Sequence, residues 1–530
     1  MRPIERSSQL SPHPGACPRR VVDRSITDTY RSVESGSWTA GGVPGQSECD
    51  RQTRHERAES MQRRKYAILA VCCMGLLLVS IDNTIVNVAL PSIATQLGAS
   101  VQTLQWTVDA YLLVLASLLI LSGSLADRFG RKRVFMTGLA IFVFGSAMCG
   151  LTISETWLVA FRVVQAIGGS MMTPVALAIV TNVFTGPGER AKAIGYWAAA
   201  SGLGIALGPL LGGFLVDAFG WRSIFWVNVP VGLAAIILTA RLVPESRARA
   251  PRRFDPIGQG LVFLVIVCLT FGIIEVPALG WGSPVIFTVF ELAAAAIVIL
   301  VPYELHRRQP LVEIRLFTNR AFSAAWSTTL VGFVAFAGLL FANTFYLQDS
   351  RGLSASAAGL LSLPLAASVI IAATVSGRLV ARGKTRATLV SSGIALTAAP
   401  VMLAFFGPTT PLGWIVIPFI IFGAGYGLLN DPVNNTAVSE LPNDQAGVAA
   451  SLVATSRQLG SVLGVAIIGT LLSTGRPAAL TTVPSGFGVA VSAVLAACGL
   501  AVVLINLLPA RRSALVHQTP PTASIAALRP

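Results

Sequence analysis

Charged side chains are scarce in this chain, and their scarcity excludes a water-soluble fold. Asp, Glu, Lys and Arg make up 12% of the 530 residues, whereas 53% are hydrophobic. About a quarter of the residues in soluble domains are charged, because a soluble surface must face water. We therefore predict an integral membrane protein that is surrounded by a lipid bilayer.

Cysteine and histidine are rare as well, which leaves few metal ligands or nucleophiles. The seven cysteines have no Cys-x-x-Cys spacing, and the four histidines all lie outside the hydrophobic runs. No phosphate-binding loop or catalytic-triad pattern is found in the sequence. We predict no enzyme activity, no metal and no cofactor, with the proton motive force as the energy source. Carboxylates must then carry any protons that move.

Long hydrophobic runs are what the chain has in abundance. Each is ~20 residues or longer, enough for an α-helix to cross a bilayer, and they lack the alternating pattern of a membrane β-barrel. The predicted fold class is all-α, with fourteen transmembrane helices. Their expected bounds are 66–91, 105–125, 134–152, 156–183, 190–215, 222–243, 257–279, 285–303, 321–347, 355–378, 387–407, 412–433, 447–473 and 485–508.

Lys and Arg alternate from loop to loop, which gives an independent check on the number of helices. They collect in stretches such as Asp127–Arg133 and Arg382–Arg386, while the opposite loops carry only Arg222, Arg351 and Arg476. Because cytoplasmic loops are enriched in Lys and Arg, this pattern predicts an even helix count and two cytoplasmic termini. The same loops account for most of the net charge of +15, so we expect no nucleic-acid partner.

The first sixty residues differ in composition from the rest. They are rich in Ser, Arg, Pro and Gly and have no apolar run like that of a signal peptide. Residues 1–60 are therefore expected to be a disordered N-terminal extension. The residues from Met61 onward are typical of the short cytoplasmic segment that precedes a first transmembrane helix. The alternative that translation starts at Met61, so that the extension is not made, stays open.

Asp82 is an ionisable residue inside the first hydrophobic run. A carboxylate near the centre of a membrane helix costs about 2.5–3.5 kcal/mol on insertion scales and is usually functional. In the fourth run, Arg162 and Gln165 are three residues apart and share one face of the helix. Asp82 is interpreted either as a proton-binding residue or as a structural hydrogen-bonding group between helices.

The loop "GSLADRFGRKR" after the second helix combines glycines with charges. Gly123 and Gly130 permit a tight turn, because glycine tolerates backbone conformations that other residues avoid. Asp127 can cap a helix or pair with Arg128 or Arg131. The alternative is that the basic residues of this loop only set the membrane topology.

The fifth run carries a stripe of small residues. Gly204, Gly208 and Gly212 recur every four residues, and Pro209 removes a backbone donor beside them. Such a stripe lets a neighbouring helix approach closely. It predicts either a seal between helices or ordinary close packing.

These motifs, together with "DNTIVNVALP" and "WRSIFWVNVPVG", resemble the major facilitator superfamily. More narrowly, they resemble its fourteen-helix drug:proton antiporter family, the QacA/EmrB-type exporters. The resemblance extends over residues 62–510 and implies the major facilitator fold, with two six-helix bundles and two inserted helices. The expected domains are the extension 1–60, a first bundle 61–245, a linker with the inserted helices 246–318, a second bundle 319–510 and a cytoplasmic tail 511–530.

The resemblance also implies which residues act in transport. In this family helices 1 and 4 line the central cavity, and the depths of the helices predict that three ionisable residues share the outer half of the first bundle. The expected proton-coupling residues are Asp82, Arg162 and Asp109. The expected substrate-cavity residues are Asn83, Asn87 and Gln165. The loop after helix 2 and the helix 5 stripe are the expected gating and packing motifs.

Four further polar residues lie within the runs. Arg457 resembles part of the family's helix 13 motif, whereas Asp431 departs from the family pattern of helix 12. Glu275 and Glu291 lie on the two inserted helices. Whether these three acids take part in transport stays open at this point.

The function that these observations predict is secondary active export of amphipathic drugs or metabolites, cations among them, in exchange for protons. The expected setting is a bacterial cytoplasmic membrane, and the expected working unit is a monomer. One alternative is a dedicated exporter of one antibiotic or metabolite. Others are a uniporter, a symporter or a membrane sensor on the same fold.

Overall fold

The computed structural model describes residues 44–247, 255–307, 310–407, 409–439, 446–474 and 488–507, and its regular elements there are helical. A 3₁₀ turn (Ile314–Thr318) and a π-helical turn (Tyr346–Ser350) flank α10. The α-helices are α1 (Pro44–Leu97), α2 (Val101–Phe129), α3 (Arg131–Leu151), α4 (Glu155–Val183), α5 (Pro187–Phe219), α6 (Ser223–Trp226), α7 (Asn228–Leu242), α8 (Pro256–Leu279), α9 (Pro284–His306), α10 (Arg320–Phe345), α11 (Ala355–Leu361), α12 (Leu363–Ala381), α13 (Thr385–Ala404), α14 (Leu412–Ser439), α15 (Ala446–Thr474) and α16 (Val489–Leu507).

The described helices are long and apolar enough to cross a membrane fourteen times. Thirteen helical segments qualify by length and composition, and α2 supplies the fourteenth, although it bends by 50° between Val101–Leu119 and Leu121–Phe129. Helices α6 and α7 together form one crossing, Ser223–Leu242, and α11 and α12 form another, Ala355–Ala381. The predicted all-α fold with fourteen spans is confirmed.

The N-terminal segment differs from the sequence-based expectation. Residues 44–60 are helical and continue into the first span, whereas the composition predicts disorder for residues 1–60. Pro44 suits a first helical turn, and the Glu, Gln, Arg and Ala residues that follow are good helix formers that extend a helix already formed by the span. Residues 1–43 lie outside the described residues. Within the described residues, the part of α1 up to Ala67 forms a unit of its own.

From Ile68 onward, the chain packs around two hydrophobic cores. The first buries Phe135 and Phe142 of α3 and includes side chains of α1, α2, α4 and α7. The second buries Phe419 and Phe422 of α14 with side chains of α10, α13, α15 and α16. The fold has two six-helix bundles, the first from α1 to α7 and the second from α10 to α16. The first core lies mainly in the first bundle and takes in some side chains of α10 and α15, and the second core lies in the second bundle.

Helices α8 and α9 form a hairpin that contacts both bundles. Trp106 Nε1 of α2 donates a 2.9 Å hydrogen bond to the Glu275 carboxylate of α8. Thr470 of α15 donates a 2.8 Å hydrogen bond to the carbonyl oxygen of Ile273, also on α8. The inserted hairpin thus links the first bundle to the second through direct polar contacts.

The two bundles also meet directly at one end of the molecule. This far end lies opposite the basic end, which carries the loops after α2 and α12. Asp217, close to the end of α5, accepts hydrogen bonds from the backbone N–H groups of Ala355 (3.2 Å) and Ser356 (2.8 Å) on α11. Gln105 Nε2 of α2 donates a 2.9 Å hydrogen bond to the carbonyl oxygen of Ala466 on α15. These contacts hold the far end closed.

Candidate functional site

A buried ion pair joins α1 to α4 inside the first bundle. Arg162 Nη1 lies 2.6 Å from Asp82 Oδ2, and the two side chains are 1% and 0% exposed, respectively. Both residues come from long helices, so regular elements rather than loops position the pair. Burying two charges carries a large desolvation penalty, which only good geometry and additional hydrogen bonds offset.

Gln165 and Asn228 supply those additional hydrogen bonds. Gln165 Nε2 donates to Asp82 Oδ1 at 2.8 Å, and its own Oε1 accepts from Arg162 Nη1 at 2.8 Å. Asn228, the first residue of α7, donates to the same Asp82 oxygen at 3.1 Å and to Ser146 Oγ at 3.1 Å. The sequence predicts Gln165 for the substrate cavity and assigns no role to Asn228. The sequence signal that could have identified Asn228 is an amide side chain within a predicted membrane span.

Arg162 is further held by α2 and by aromatic rings. Its Nε donates a 3.2 Å hydrogen bond to the carbonyl oxygen of Thr107. Its guanidinium carbon lies 4.0 Å from the centre of the Tyr111 ring and 5.9 Å from that of Phe225. Cation–π contacts of this kind contribute about 0.5–2 kcal/mol, with the larger value when the cation is desolvated. The arginine is therefore fixed on several sides, and Asp82 is its carboxylate partner.

Asp109 lies elsewhere on α2. Thr107 and Tyr111 face Arg162, and at 100° per residue Asp109 projects from the other side of the helix, between Gln105 and Trp106. Gln105 bonds to α15 and Trp106 bonds to α8, so Asp109 belongs to the junction of α2, α8 and α15. It is fully buried, and neither carboxyl oxygen has a hydrogen-bond partner among the described residues.

This placement adds a direction around the helix to the depth that the sequence predicts. The depths of the helices predict that Asp109 shares the outer half of the first bundle with the Asp82–Arg162 pair. The depth of a residue fixes its level in the membrane but not its direction around the helix. The structure brings Asp82 and Arg162 together and leaves Asp109 on a different face.

Asn83 and Asn87 follow Asp82 on α1. Asn87 Nδ2 donates a 3.3 Å hydrogen bond to the backbone carbonyl oxygen of Asn83. The side-chain oxygens of both residues are buried and have no partner among the described residues. Each therefore keeps a free acceptor, as a residue that orients a bound compound requires.

The glycine stripe of α5 packs onto α1 beside the ion pair. A Cβ atom on Gly204 would lie 2.6 Å from Ser80 Cβ, and one on Gly208 would overlap the hydroxyl of Thr84. Ser80 Oγ also lies 3.1 Å from Ser201 Oγ of α5, within hydrogen-bonding distance. The close helix approach that the stripe predicts is therefore present, and it occurs next to Asp82.

The glycine stripe is packed just as tightly at Gly212, and so is the side of α5 that faces α11. A Cβ atom on Gly212 would lie 2.8 Å from Ile85 Cγ1 of α1. On the side away from α1, the carbonyl group of Pro209 occupies the space that a side chain on Gly359 of α11 would need. Helix α5 is thus held between α1 of its own bundle and α11 of the other bundle.

The loop between α2 and α3 is held by charges at the basic end. Arg131 Nη2 lies 3.1 Å from Asp127 Oδ1, so the predicted pairing of Asp127 is confirmed. Arg131 Nη1 also donates to the carbonyl oxygen of Ala178 on α4, at 3.2 Å. By contrast, Arg128 is exposed, and Gly123 lies inside α2 with open space beside it rather than in a turn.

Gly130 forms the turn itself, and Glu245 lies over it. Gly130 has a φ of +110°, which only glycine adopts readily, and a Cβ atom there would lie 2.6 Å from Glu245 Oε1. That carboxylate accepts a 3.1 Å hydrogen bond from the backbone N–H of Lys132, in the first turn of α3. Arg133 Nε lies 3.7 Å from its other oxygen. Glu245 therefore ties the end of the first bundle to this loop.

Comparisons with known proteins bear on this arrangement. The family model of the Major Facilitator Superfamily matches residues 72–465. The chain belongs to the major facilitator superfamily. It is therefore a multi-pass membrane transporter and not an enzyme.

Several relatives of this chain are named as resistance or efflux proteins. It is 33% identical to multidrug resistance protein Stp of Mycobacterium tuberculosis over 420 residues, 79% of this chain and 78% of that protein. It is 36% identical to the tetracenomycin C resistance and export protein of Streptomyces glaucescens over 424 residues, again 79% and 78% of the two chains. The crystal structure of a D-xylose-proton symporter is similar in fold, with a TM-score of 0.57, 14% identity and coverage of 83% of this chain and 96% of that one.

A largely apolar pocket lies between the two bundles, with α5 on one side and α10, α12 and α14 on the other. Its walls include Pro209, Leu365, Phe336 and Tyr426. The Phe336 and Tyr426 rings are stacked with centroids 3.9 Å apart, and the Phe333 ring lies 5.3 Å from that of Tyr426. An apolar pocket with an aromatic wall suits a flat hydrophobic compound.

Arg457 lies close to this aromatic wall. Its guanidinium carbon lies 5.8 Å from the Phe333 ring centre, and its Nη2 donates a 2.7 Å hydrogen bond to Asn434 Oδ1. Its Nε is buried and has no partner among the described residues. Asp431 of α14 faces α12, where its Oδ2 would lie 3.3 Å from a Cβ atom on Gly377. Charged groups of both signs are thus available in the second bundle.

Glu275 and Glu291, the two acids of the inserted hairpin that the sequence analysis considers, have different surroundings. Glu275 accepts the hydrogen bond from Trp106 described above. Glu291 is exposed on α9. Only Glu275 therefore has a specific contact with one of the bundles.

Proposed function

We propose that this transporter exports amphipathic drugs or metabolites across a bacterial cytoplasmic membrane in exchange for protons. The observation that carries the proposal is the buried Asp82–Arg162 pair, which lies next to the close contact between α1 and α5. The named functions of the relatives, multidrug resistance and antibiotic export, support the substrate class. The basic loops support an orientation with both termini in the cytoplasm.

The pocket between the bundles is the proposed substrate site. It lies between α5 and three helices of the second bundle, while the far end is closed by Asp217 and Gln105. With the basic end in the cytoplasm, this arrangement corresponds to an inward-facing state that takes up its substrate from inside the cell. The stacked rings of Phe336 and Tyr426 would bind the flat apolar part of the compound.

Asp82 is the proposed proton acceptor. When Asp82 takes a proton, it loses the charge that Arg162 compensates, and the ion pair is replaced by weaker hydrogen bonds. Arg162 keeps its bonds to Thr107 and Gln165, so α4 and α2 stay joined while α1 is released. Because α1 packs on the stripe of α5, its release loosens the helix that closes the far end.

The proton gradient supplies the energy for this exchange. An elementary charge that crosses the full membrane potential releases about 2.3 kcal/mol per 100 mV. That amount is comparable with the free energy of one buried charged hydrogen bond, about 1.5–3 kcal/mol. One proton can therefore bias the equilibrium between the two states of the transporter.

Three further assignments belong to the same proposal. The chain acts as a monomer, and its two bundles and the linker with the inserted helices follow the bounds predicted from the sequence. Asn83 and Asn87, which keep free acceptors, orient the substrate. A dedicated exporter of one antibiotic is the second candidate, and the name of the tetracenomycin C relative favours it.

Inverted vesicles that hold a proton gradient test the proposal. Adding an amphipathic dye should collapse part of the gradient in wild type, and Asp82→Asn should abolish the response while the protein still inserts. Glu291→Gln is the matched control, because this exposed residue lies on α9 and far from Asp82 in sequence. Wild-type coupling in Asp82→Asn would refute the assignment. Dye transport that ignores the gradient would identify a uniporter.

A further inference from the structure

Asp255 organises the basic end of the α8–α9 hairpin. It is the N-cap of α8, and its Oδ1 accepts a 3.0 Å hydrogen bond from the backbone N–H of Gly258. The same oxygen accepts hydrogen bonds from Tyr303 Oη at 2.8 Å and from Arg307 Nη2 at 2.8 Å. Three donors from both arms of the hairpin thus converge on one oxygen of this carboxylate.

Glu304 lies beside this group, on the last turn of α9. Its Oε2 accepts a 2.8 Å hydrogen bond from the backbone N–H of Leu311, in the linker towards α10. Arg315 Nη2 adds a 3.2 Å hydrogen bond to the carbonyl oxygen of Leu305. The end of α9 is therefore the point where the hairpin is attached to the linker into the second bundle.

The remaining oxygens of the two acids border the same small space beside Gly258. Asp255 Oδ2 and Glu304 Oε1 have no hydrogen-bond partner among the described residues, and the side chains are 6% and 2% exposed. A Cβ atom on Gly258 would lie 2.9 Å from the first oxygen and 2.5 Å from the second. Glycine at this position leaves room for the two oxygens to approach each other.

Two buried carboxylate oxygens that have no partner among the described residues still need a hydrogen-bond donor or a counter-charge. In the described residues no cluster of three or more acids, histidines or cysteines could hold a metal ion there. A single proton satisfies both oxygens, because a protonated carboxyl group donates one hydrogen bond to a neighbouring carboxylate.

The charge distribution assigns the proton to one of the two acids. Burial raises the pKa of Asp255, but the hydrogen bonds from Arg307, Gly258 and Tyr303 outweigh it, so the pKa of this carboxyl is lowered overall. Asp255 is therefore the carboxylate. Glu304 accepts hydrogen bonds from backbone N–H groups of the linker and from no cation in the described residues, so it is the acid that keeps the proton.

We propose that Glu304 and Asp255 bind one proton between them, as a pH-sensitive attachment of the inserted hairpin at the basic end. With the proton in place, Glu304 donates to Asp255 Oδ2 and joins α9 to the start of α8. Loss of the proton puts two negative charges at one buried point and pushes the helix ends apart. This proton site is separate from Asp82 and does not depend on the proposed antiport.

Among the described residues, few charged and titratable groups surround this site. Tyr303 lies on α9, Arg307 follows its last residue, and the linker contributes Glu313 and Arg315. Helix α2 contacts the start of α8 through Gln259 Nε2 and the carbonyl oxygen of Ser117, an uncharged contact. Three basic residues adjoin the site in sequence but lie outside the described residues, namely Arg252, Arg253 and Arg308.

Infrared spectroscopy of the purified full-length protein in detergent tests the proton directly. At neutral pH, subtracting the Glu304→Gln spectrum from the wild-type spectrum should leave one carboxylic-acid C=O band. The band should disappear when the wild-type sample is made alkaline. Glu291→Gln, an exposed acid on the same helix, should leave no such band. A difference spectrum with only carboxylate bands would show that Glu304 is ionised and would overturn the proposal.

Thermal unfolding gives a second measurement. A proton bound in the folded state but not in the unfolded state stabilises the fold at low pH, and this stabilisation is lost as the pH rises. The unfolding temperature of wild type should therefore fall from neutral to alkaline pH more steeply than that of Glu304→Gln, whose amide also donates to Asp255. Gly258→Ala, which fills the space between the oxygens, should lower the wild-type value at every pH. Equal pH slopes for wild type and Glu304→Gln would contradict the shared proton.

Discussion

Gly208 of α5 lies directly against Thr84 of α1, so that a Cβ atom on Gly208 would overlap the Thr84 hydroxyl. Thr84 is two residues from Asp82 on the same helix, and Asp82 forms the ion pair with Arg162. A helix that carries a buried charge pair and a helix that closes the far end of the molecule are therefore in contact at the level of the charges. A shift of α1 at Asp82 must move or strain α5.

We expect Gly208→Ala to impair export and Gly208→Leu to abolish it, because extra atoms overpack the α1–α5 contact, at a cost of about 1–3 kcal/mol. Thr84→Ala removes the hydroxyl that the new Cβ atom meets, so the double variant Gly208→Ala/Thr84→Ala should recover part of the efflux. The measurement is paired: efflux from loaded cells, and proton leak in vesicles without substrate. If Gly208→Leu shows normal efflux and no added leak, the stripe is ordinary packing.

The ion pair itself predicts a non-additive stability effect. Arg162→Gln leaves Asp82 buried without its cation, which should destabilise the protein by about 3–5 kcal/mol, and Asp82→Asn leaves Arg162 equally unpaired. The double variant is uncharged at both positions and should be more stable than either single variant, yet transport-inactive. Thermal unfolding in detergent, followed for all four proteins of the cycle, measures the coupling. Additive losses would show that the pair does not interact.

The aromatic wall of the pocket predicts a change in apparent affinity. Tyr426→Ala removes the ring stacked on Phe336, and the loss of one ring with its stacking partner corresponds to about a tenfold rise in the substrate concentration for half-maximal efflux. Tyr426→Phe keeps the ring and should behave as wild type, which makes it the matched control. If Tyr426→Ala changes the maximal rate alone, the pocket does not bind the substrate.

Much of this fold could be predicted from the sequence because the signals are local. A run of apolar residues indicates a span whatever its neighbours are, and the alternation of basic loops fixes the parity of the helices. The pairing of Asp82 with Arg162 could also be expected from the sequence, because a charge inside a membrane span needs a partner.

The remaining contacts depend on how helices rotate against one another. Asp109 turned out to face α8 and α15, because the directions of Thr107 and Tyr111 towards Arg162 leave it on the other side of α2. Asn228 reaches Asp82 from α7 and also bonds to Ser146 of α3, so its place in the charged site depends on how three helices pack together. Such relationships arise from packing, which no single run of residues encodes.

The loop after α2 contains two glycines whose surroundings differ, and they predict opposite outcomes for the same substitution. Gly130 has a φ of +110°, and its missing side chain makes room for the Glu245 carboxylate at the start of α3. Gly123 lies in a helix beside open space. Gly130→Ala should therefore lower stability by about 1 kcal/mol or more through backbone strain, and further by displacing Glu245.

Gly123→Ala is the matched control, since alanine in a helix interior is favoured over glycine by about 0.5–1 kcal/mol and should raise the unfolding temperature slightly. Glu245→Gln separates strain from charge: it keeps the shape of the side chain but loses the attraction to Arg133. The contact of Glu245 with the loop at Gly130 is expected to hold the basic end in the conformation described here. Gly130→Ala and Glu245→Gln should then both increase the rate at which a thiol reagent labels a cysteine placed at Lys132 in cells. Equal labelling in wild type, Gly130→Ala and Glu245→Gln would leave Glu245 as a passive helix cap.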